Sequence, residues 1–319
     1  MMKRFATLFC GLLLAAAAHA QSWPQKPVKV VVPFPPGGVT DSIARITVDW
    51  LSQKLGQPVL AENKPGASGA IAAEYVARSA PDGYTLFMAA SPQLAIVPHV
   101  QKIPYDPLRD FAPVSIVGEN MFALGVNDQF PARTLGELVE YAKARPGQLN
   151  FASAGSGTVS HLTMALFLAR AGLRIEPVLY KGGGPAMADV LAGQVPMYFG
   201  NLNELLPHAG GGRVRVLAVS GAKRAAQLAD VPTVAEQGYP GFHTETWNGL
   251  IGPAGMSAEV IDRIQREVAT GCKDAAFVSR LAKIGVDPVC STPAEFARTI
   301  RQDFELWREA VRAAGMKIE

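Results

Sequence analysis

A β-rich run, a glycine-rich turn and a helical stretch recur twice, in the same order, along this chain of 319 residues. Residues 28–34, ending at Phe34, lead into Pro35-Pro36-Gly37-Gly38-Val39-Thr40-Asp41. Residues 149–153 lead into Ala154-Gly155-Ser156-Gly157-Thr158. Each half then repeats the move: residues 59–63 precede Pro65-Gly66-Ala67-Ser68-Gly69, and residues 177–180 precede Lys181-Gly182-Gly183-Gly184. A third run closes each half, 84–89 before Ser91 and 195–199 before Asn201. Two matched βαβαβ halves predict an α/β fold of two lobes with largely parallel sheets. Ligands of such sheets lie outside the strand C-terminal ends. Two ends set opposite one another make a cleft, and glycine-lined helix starts suit a small anion.

The first residues belong to neither half. Met1-Met2-Lys3-Arg4 is a basic head, residues 5–18 are an apolar run, and Ala18-His19-Ala20 fits a small-residue cleavage site. Residues 1–20 therefore read as a signal peptide, the run being short for a membrane span. Cys10 follows bulky Phe9 where a lipoprotein signal places a small residue, so no lipid anchor is expected. Without Lys3 and Arg4 the 30 basic residues become 28 against 27 acidic ones. That near-neutral balance, with no basic run, gives no electrostatic case for nucleic acid or acidic membranes. Cys272 and Cys290 remain after cleavage. They either pair, closing a loop whose entropy is worth about 3 kcal/mol, or stay as two buried thiols.

Beyond the repeats, helical patterns are expected over residues 40–55, 70–79, 135–144, 158–171 and 185–192. Strand patterns fall at 111–117, 121–126, 214–219 and 244–251. Gly118-Glu119-Asn120 reads as a break between two strands and as the first crossing between lobes; the second crossing falls near Glu245. The tail is helical over 258–272, 275–284 and 293–314, and is expected to pack on the first lobe. The resulting division is 21–120 plus 247–319 for lobe 1 and 121–246 for lobe 2.

Gly37 and Gly38 sit where a strand turns into a helix, letting a ligand approach unpaired amides. Thr40 lies in the first helical turn. Asp41 either fixes this loop or accepts a hydrogen bond from the ligand. In the second loop Ser156, Gly157, Thr158 and His161 are the equivalent candidates. Lys181 and Gly182 form a third wall, Ser91 and Asn201 follow the third strands, and Trp247 is a candidate cap or a core residue. Gly155-x-Gly157-x-x-Ser160, with Glu176 further on, approaches a dinucleotide fingerprint and keeps a dinucleotide-dependent enzyme open as a rival. No nucleophile elbow, paired carboxylates or metal-ligand spacing is visible, so the reading is a binder rather than an enzyme, with no metal or cofactor.

The motifs Pro33-Phe34-Pro-Pro-Gly37-Gly38-x-x-Asp41, Glu62-Asn63-Lys64-Pro65-Gly66-Ala67 and Ala80-Pro81-Asp82-Gly83-Tyr84 continue into Gly155-Ser156-Gly157-Thr158-x-x-His161, Tyr180-Lys181-Gly182, Asp230-Val231-Pro232-Thr233 and Trp247-Asn248-Gly249. Together they make the chain resemble the Bug/TctC family of periplasmic solute-binding proteins of tripartite tricarboxylate transporters. The resemblance implies a two-lobed type II periplasmic binding-protein fold closing on a small carboxylate ligand. It implies a periplasmic location, a tripartite tricarboxylate-type membrane permease as partner, and a monomer. A sensor that docks on a signalling receptor would carry the same sequence features.

Overall fold

The computed structural model describes residues 23–209 and 211–316, so the expected signal peptide lies outside the described residues. The first half contains β1 (Val28–Val32), α1 (Val39–Leu55), β2 (Val59–Asn63), α2 (Ala70–Ala77) and β3 (Thr85–Ala90). A short α3 (Val97–Val100), a long β4 (Phe111–Asn127) and α4 (Leu135–Lys143) lead to the second half. There β5 (Asn150–Ser153), α5 (Val159–Ala171), β6 (Glu176–Leu179), α6 (Gly183–Leu191) and β7 (Met197–Asn201) repeat the order. In each half the first strand is central and parallel to its neighbours: β1 lies between β2 and β3, and β5 between β6 and β7. The duplicated pattern is thus a duplicated topology.

Local sequence explains these elements. In β1, Val30, Val31 and Val32 are all fully buried, as a parallel strand covered on both faces requires. In α1, Ile43, Ala44, Ile46, Thr47, Leu51 and Leu55 recur at helical spacing and are buried, and Gly56 ends the helix in the left-handed conformation. In α5, Thr158 caps the N-terminus, and every residue from Val159 to Leu168 is buried.

The remaining elements are α7 (Leu202–Ala209), β8 (Val214–Val219), β9 (Glu245–Pro253), α8 (Ala258–Gly271), α9 (Ala275–Ala282), β10 (Asp287–Pro288) and α10 (Pro293–Ala313). The strands form one curled sheet in the order β2-β1-β3-β9-β4-β7-β5-β6, with β8 and β10 also on β4. Gly118-Glu119-Asn120 does not break the chain into two strands. Those three residues stay paired with Asn248, Trp247 and Thr246 of β9, and β4 runs unbroken for 17 residues. Its first part, to Met121, pairs with β9; from Phe122 it pairs with β7 and β8. One strand therefore belongs to both lobes, and β9 is the second crossing.

The tail also departs from expectation. α10 is 21 residues, about 31 Å long, and does not stay on the first lobe. Phe296 and Ile300 pack with Phe87, Ile116 and Trp247. Trp307, Ala310 and Val311 pack instead with Phe122, Leu162 and Phe167 of the other half. Arg170 of α5 also meets Glu309 at 3.4 Å. Cys272 and Cys290 are joined as a disulfide, tying the end of α8 to the segment before α10.

Candidate functional site

The pairing of strands decides where the glycine loops meet. β3 ends with Ala90 opposite Asn248 of β9, and β7 ends with Asn201 opposite Phe122 of β4. The parallel units of both halves therefore point their C-terminal ends at the two crossing strands. Ser91 follows directly on one side, and Asn201 ends the strand on the other. Two hydrogen bonds tie the loops to this floor: Thr40 Oγ1 donates to Asn248 Oδ1 (2.7 Å), and Asn120 Nδ2 donates to Asn201 Oδ1. Asn120 is paired with Thr246, two residues from Asn248, so these side chains share one face of the crossing pair.

In the first loop Gly37 adopts φ +97°, open to glycine and unfavourable for other residues. Its N–H donates to Asp41 Oδ2 at 2.9 Å. Asp41 also accepts from Arg45 Nε (2.9 Å), Arg45 Nη2 (3.1 Å) and Asn63 Nδ2 (2.8 Å). Asn63 Nδ2 in turn donates to the carbonyl of Phe34. Burial alone would raise the Asp41 pKa, but the hydrogen bonds from Arg45, Asn63 and Gly37 outweigh it and hold the group below its ordinary value. The carboxylate is occupied as a clasp that shapes the loop. What the loop leaves open is the start of α1: the N–H groups of Val39, Thr40 and Asp41 have no acceptor among the described residues. A Cβ added at Gly38 would meet nothing within 4 Å.

The second loop repeats this economy with different residues. Thr158 Oγ1 donates to the Gly155 carbonyl (2.8 Å) and accepts from the His161 N–H (3.3 Å). The Gly157 N–H donates to His161 Nδ1 at 3.1 Å, which puts the proton of a neutral imidazole on Nε2. Burial lowers the His161 pKa, keeping it neutral. His161 and Thr158 thus shape the turn. The exposed Ser156 and the N–H groups of Ser156, Val159 and Ser160, without acceptors among the described residues, remain for a ligand. The third loop is stitched to this one: Gly182 N donates to the Ala154 carbonyl (3.0 Å) and Tyr180 N to that of Ser153 (2.9 Å). Gly182 faces open space, and Lys181 is exposed.

Ser91 is fully buried, and its Oγ has no partner among the described residues. Such a hydroxyl costs about 1–3 kcal/mol until an acceptor reaches it. Trp247 stands apart from the other candidates. Neighbouring strand residues face opposite ways, so beside Asn248 it points to the other side of the crossing pair. There its Nε1 donates to Asp303 (2.7 Å), and its ring meets Phe296 edge-on. It is a core residue of the α10 side rather than a wall of the loop site. Three residues outside the sequence candidates help build the site: Asn63, Asn120 and Asn248. Asn248 was signalled by the same alternation that turns Trp247 away. No group of three or more His, Cys, Asp or Glu side chains among the described residues could hold a metal ion.

The family described as "Tripartite tricarboxylate transporter family receptor" matches residues 43–316. The protein BugT of Bordetella pertussis is 36% identical over 96% of this chain and 94% of its own length. Among solved structures, Rpa4515 of R. palustris with adipate is 33% identical, covers 93% of this chain and 100% of its own, and superposes with a TM-score of 0.77. MatC of Rhodopseudomonas palustris with bound malate is 31% identical, covers 91% of this chain and 100% of its own, with a TM-score of 0.73. With a family match over most of its length and relatives of this identity, the chain belongs to the tripartite tricarboxylate transporter receptor family.

Proposed function

We propose that the protein is a periplasmic receptor that captures a small carboxylate between its lobes and delivers it to a tripartite tricarboxylate-type permease. One observation carries this reading. Two helix starts with unpaired amides, at residues 39–41 and 159–160, flank the same crossing strands, and the unsatisfied Ser91 hydroxyl follows directly on β3, whose last residue lies opposite Asn248. Positive helix ends and free N–H groups attract a carboxylate. Each charge-assisted hydrogen bond contributes about 1.5–3 kcal/mol, so a few suffice for the roughly 8 kcal/mol of micromolar binding after ordering costs.

The ligand class proposed is a short dicarboxylate, supported by the adipate and malate in two relatives. Gly37, Gly38, Thr40, Ser91, Ser156, Lys181, Gly182 and Asn201 supply the walls, Phe34, Asp41, Gly157, Thr158 and His161 their shape. Closure would turn about β4 and β9 near Asn120 and Glu245, between lobes spanning 21–120 plus 247–319 and 121–246, with α10 bridging them. The dinucleotide reading loses ground on geometry, because Glu176 starts β6, whereas a ribose contact needs the strand's C-terminal end.

Calorimetry of the protein lacking residues 1–20 tests the proposal. Saturable binding of adipate or malate, with no heat from NAD, is expected. Binding of NAD with no response to any of a panel of small mono- and dicarboxylates would overturn it.

A further inference from the structure

On the face of the crossing strands turned away from the glycine loops lies a cavity of about 570 Å³. Its walls carry Glu119 of β4, Glu245 and Trp247 of β9, His243 just before β9, and Asp303 and Glu295 of α10. Asp287 of β10 is paired directly opposite Glu119. No lysine or arginine is among the lining residues. His243 Nε2 lies 3.0 Å from Glu245 Oε2, Asp303 accepts from the Trp247 indole, and Glu295 is held in the capping box of α10. Carboxylates with a single imidazole among them are therefore gathered at both passages between the lobes, beneath the helix that packs on both.

The position gives the cluster leverage. The crossing strands are the axle of any lobe rotation, so narrowing the loop side widens the opposite side and changes the spacing of these charges. We propose that the protonation of this rear cavity sets the balance between open and closed lobes. Charged, its carboxylates repel, hold the rear apart and favour closure at the front. Protonated, they let the rear contract and the front open, so affinity falls on acidification.

The groups titrate in the window this requires. Burial, then the charge of Glu245, pushes Glu119 up to about 7. Burial pushes Asp303 up to about 6, against the hydrogen bond from Trp247 and the charge of His243. The hydrogen bond to Glu245 holds His243 above its ordinary value despite burial. Burial and Glu245 also raise Asp287. From about pH 8 to about pH 5.5, where ordinary carboxylates stay ionised, Glu119, Asp303 and His243 take up protons. The cavity loses much of its negative charge.

This inference rests on the two-lobed receptor reading, but it concerns the protein without ligand and is tested there. Leu60 and Leu179 are exposed on β2 and β6, one strand at each end of the sheet. Nitroxides attached through Leu60→Cys and Leu179→Cys, with the Cys272–Cys290 disulfide intact, report the lobe separation by pulsed electron paramagnetic resonance. Lowering the pH from about 8 to about 5.5 is expected to shift the distance distribution toward the open form. Glu119→Gln at about pH 8 should already show the distribution of the unsubstituted protein at about pH 5.5. Asp303→Asn, whose amide oxygen still accepts from Trp247, should move the same way. A distribution that ignores pH, that closes on acidification, or that shifts as fully in both variants as without them would overturn the proposal. Retained binding of adipate or malate in those cases would leave the receptor reading standing.

Discussion

At the scale of single residues, adjacent glycines in the first loop have separate duties. Gly37 needs its left-handed backbone, whereas Gly38, at φ −78° and ψ 172°, occupies a conformation open to any residue. Gly38→Val is therefore expected to leave the unfolding midpoint nearly unchanged while carboxylate binding weakens at least 100-fold by calorimetry, because its side chain enters the space before the free amides. Gly37→Ala should instead cost about 1–2 kcal/mol of stability. Asp41 offers a second test. Its lowered pKa means that the folded state gains stability above the unfolded group's pKa and loses it as pH falls through the folded value. Asp41→Asn should cost about 2 kcal/mol at neutral pH, and urea unfolding at stepped pH should show the gap closing below about pH 4. The glycines and hydroxyls of both loops were legible as types at strand–helix junctions. The division of labour between shaping and binding was not, because it depends on which carbonyl or carboxylate each group reaches.

At the scale of elements, the repeated strands and helices could be read from sequence to within a few residues because their apolar spacing is local. β4 could not. Gly118-Glu119-Asn120 carries turn-forming types, and only pairing with β9, supplied by residues far along the chain, keeps it extended. α10 posed the same problem: its amphipathic stripe was evident, but a stripe does not say which lobe it covers. The disulfide is a further element-scale device, since it anchors the segment that pairs with β4 through β10. Cys290→Ser is expected to lower stability by about 3 kcal/mol in the chain-entropy account of an 18-residue separation. Urea unfolding with and without reductant checks it: reductant should lower the midpoint of the original protein and leave the variant's unchanged.

At the scale of the whole molecule, the duplicated βαβαβ halves announced two lobes, and the curled ten-stranded sheet joins them through β4 and β9. Ligand closure about those strands should reduce the radius of gyration in small-angle scattering when adipate or malate saturates the protein. A protein carrying Gly38→Val should show no such change at the same concentrations.

The shared sheet has a consequence for how the polypeptide matures. Ala90 must wait for Asn248 before β3 gains its second neighbour, and Phe87 must wait for Phe296 before its core is sealed. A nascent chain emerging N-terminus first therefore cannot finish its first lobe until nearly the last residues arrive. Such long-range dependence slows assembly and lengthens the time for which the first half of the chain stays incompletely folded.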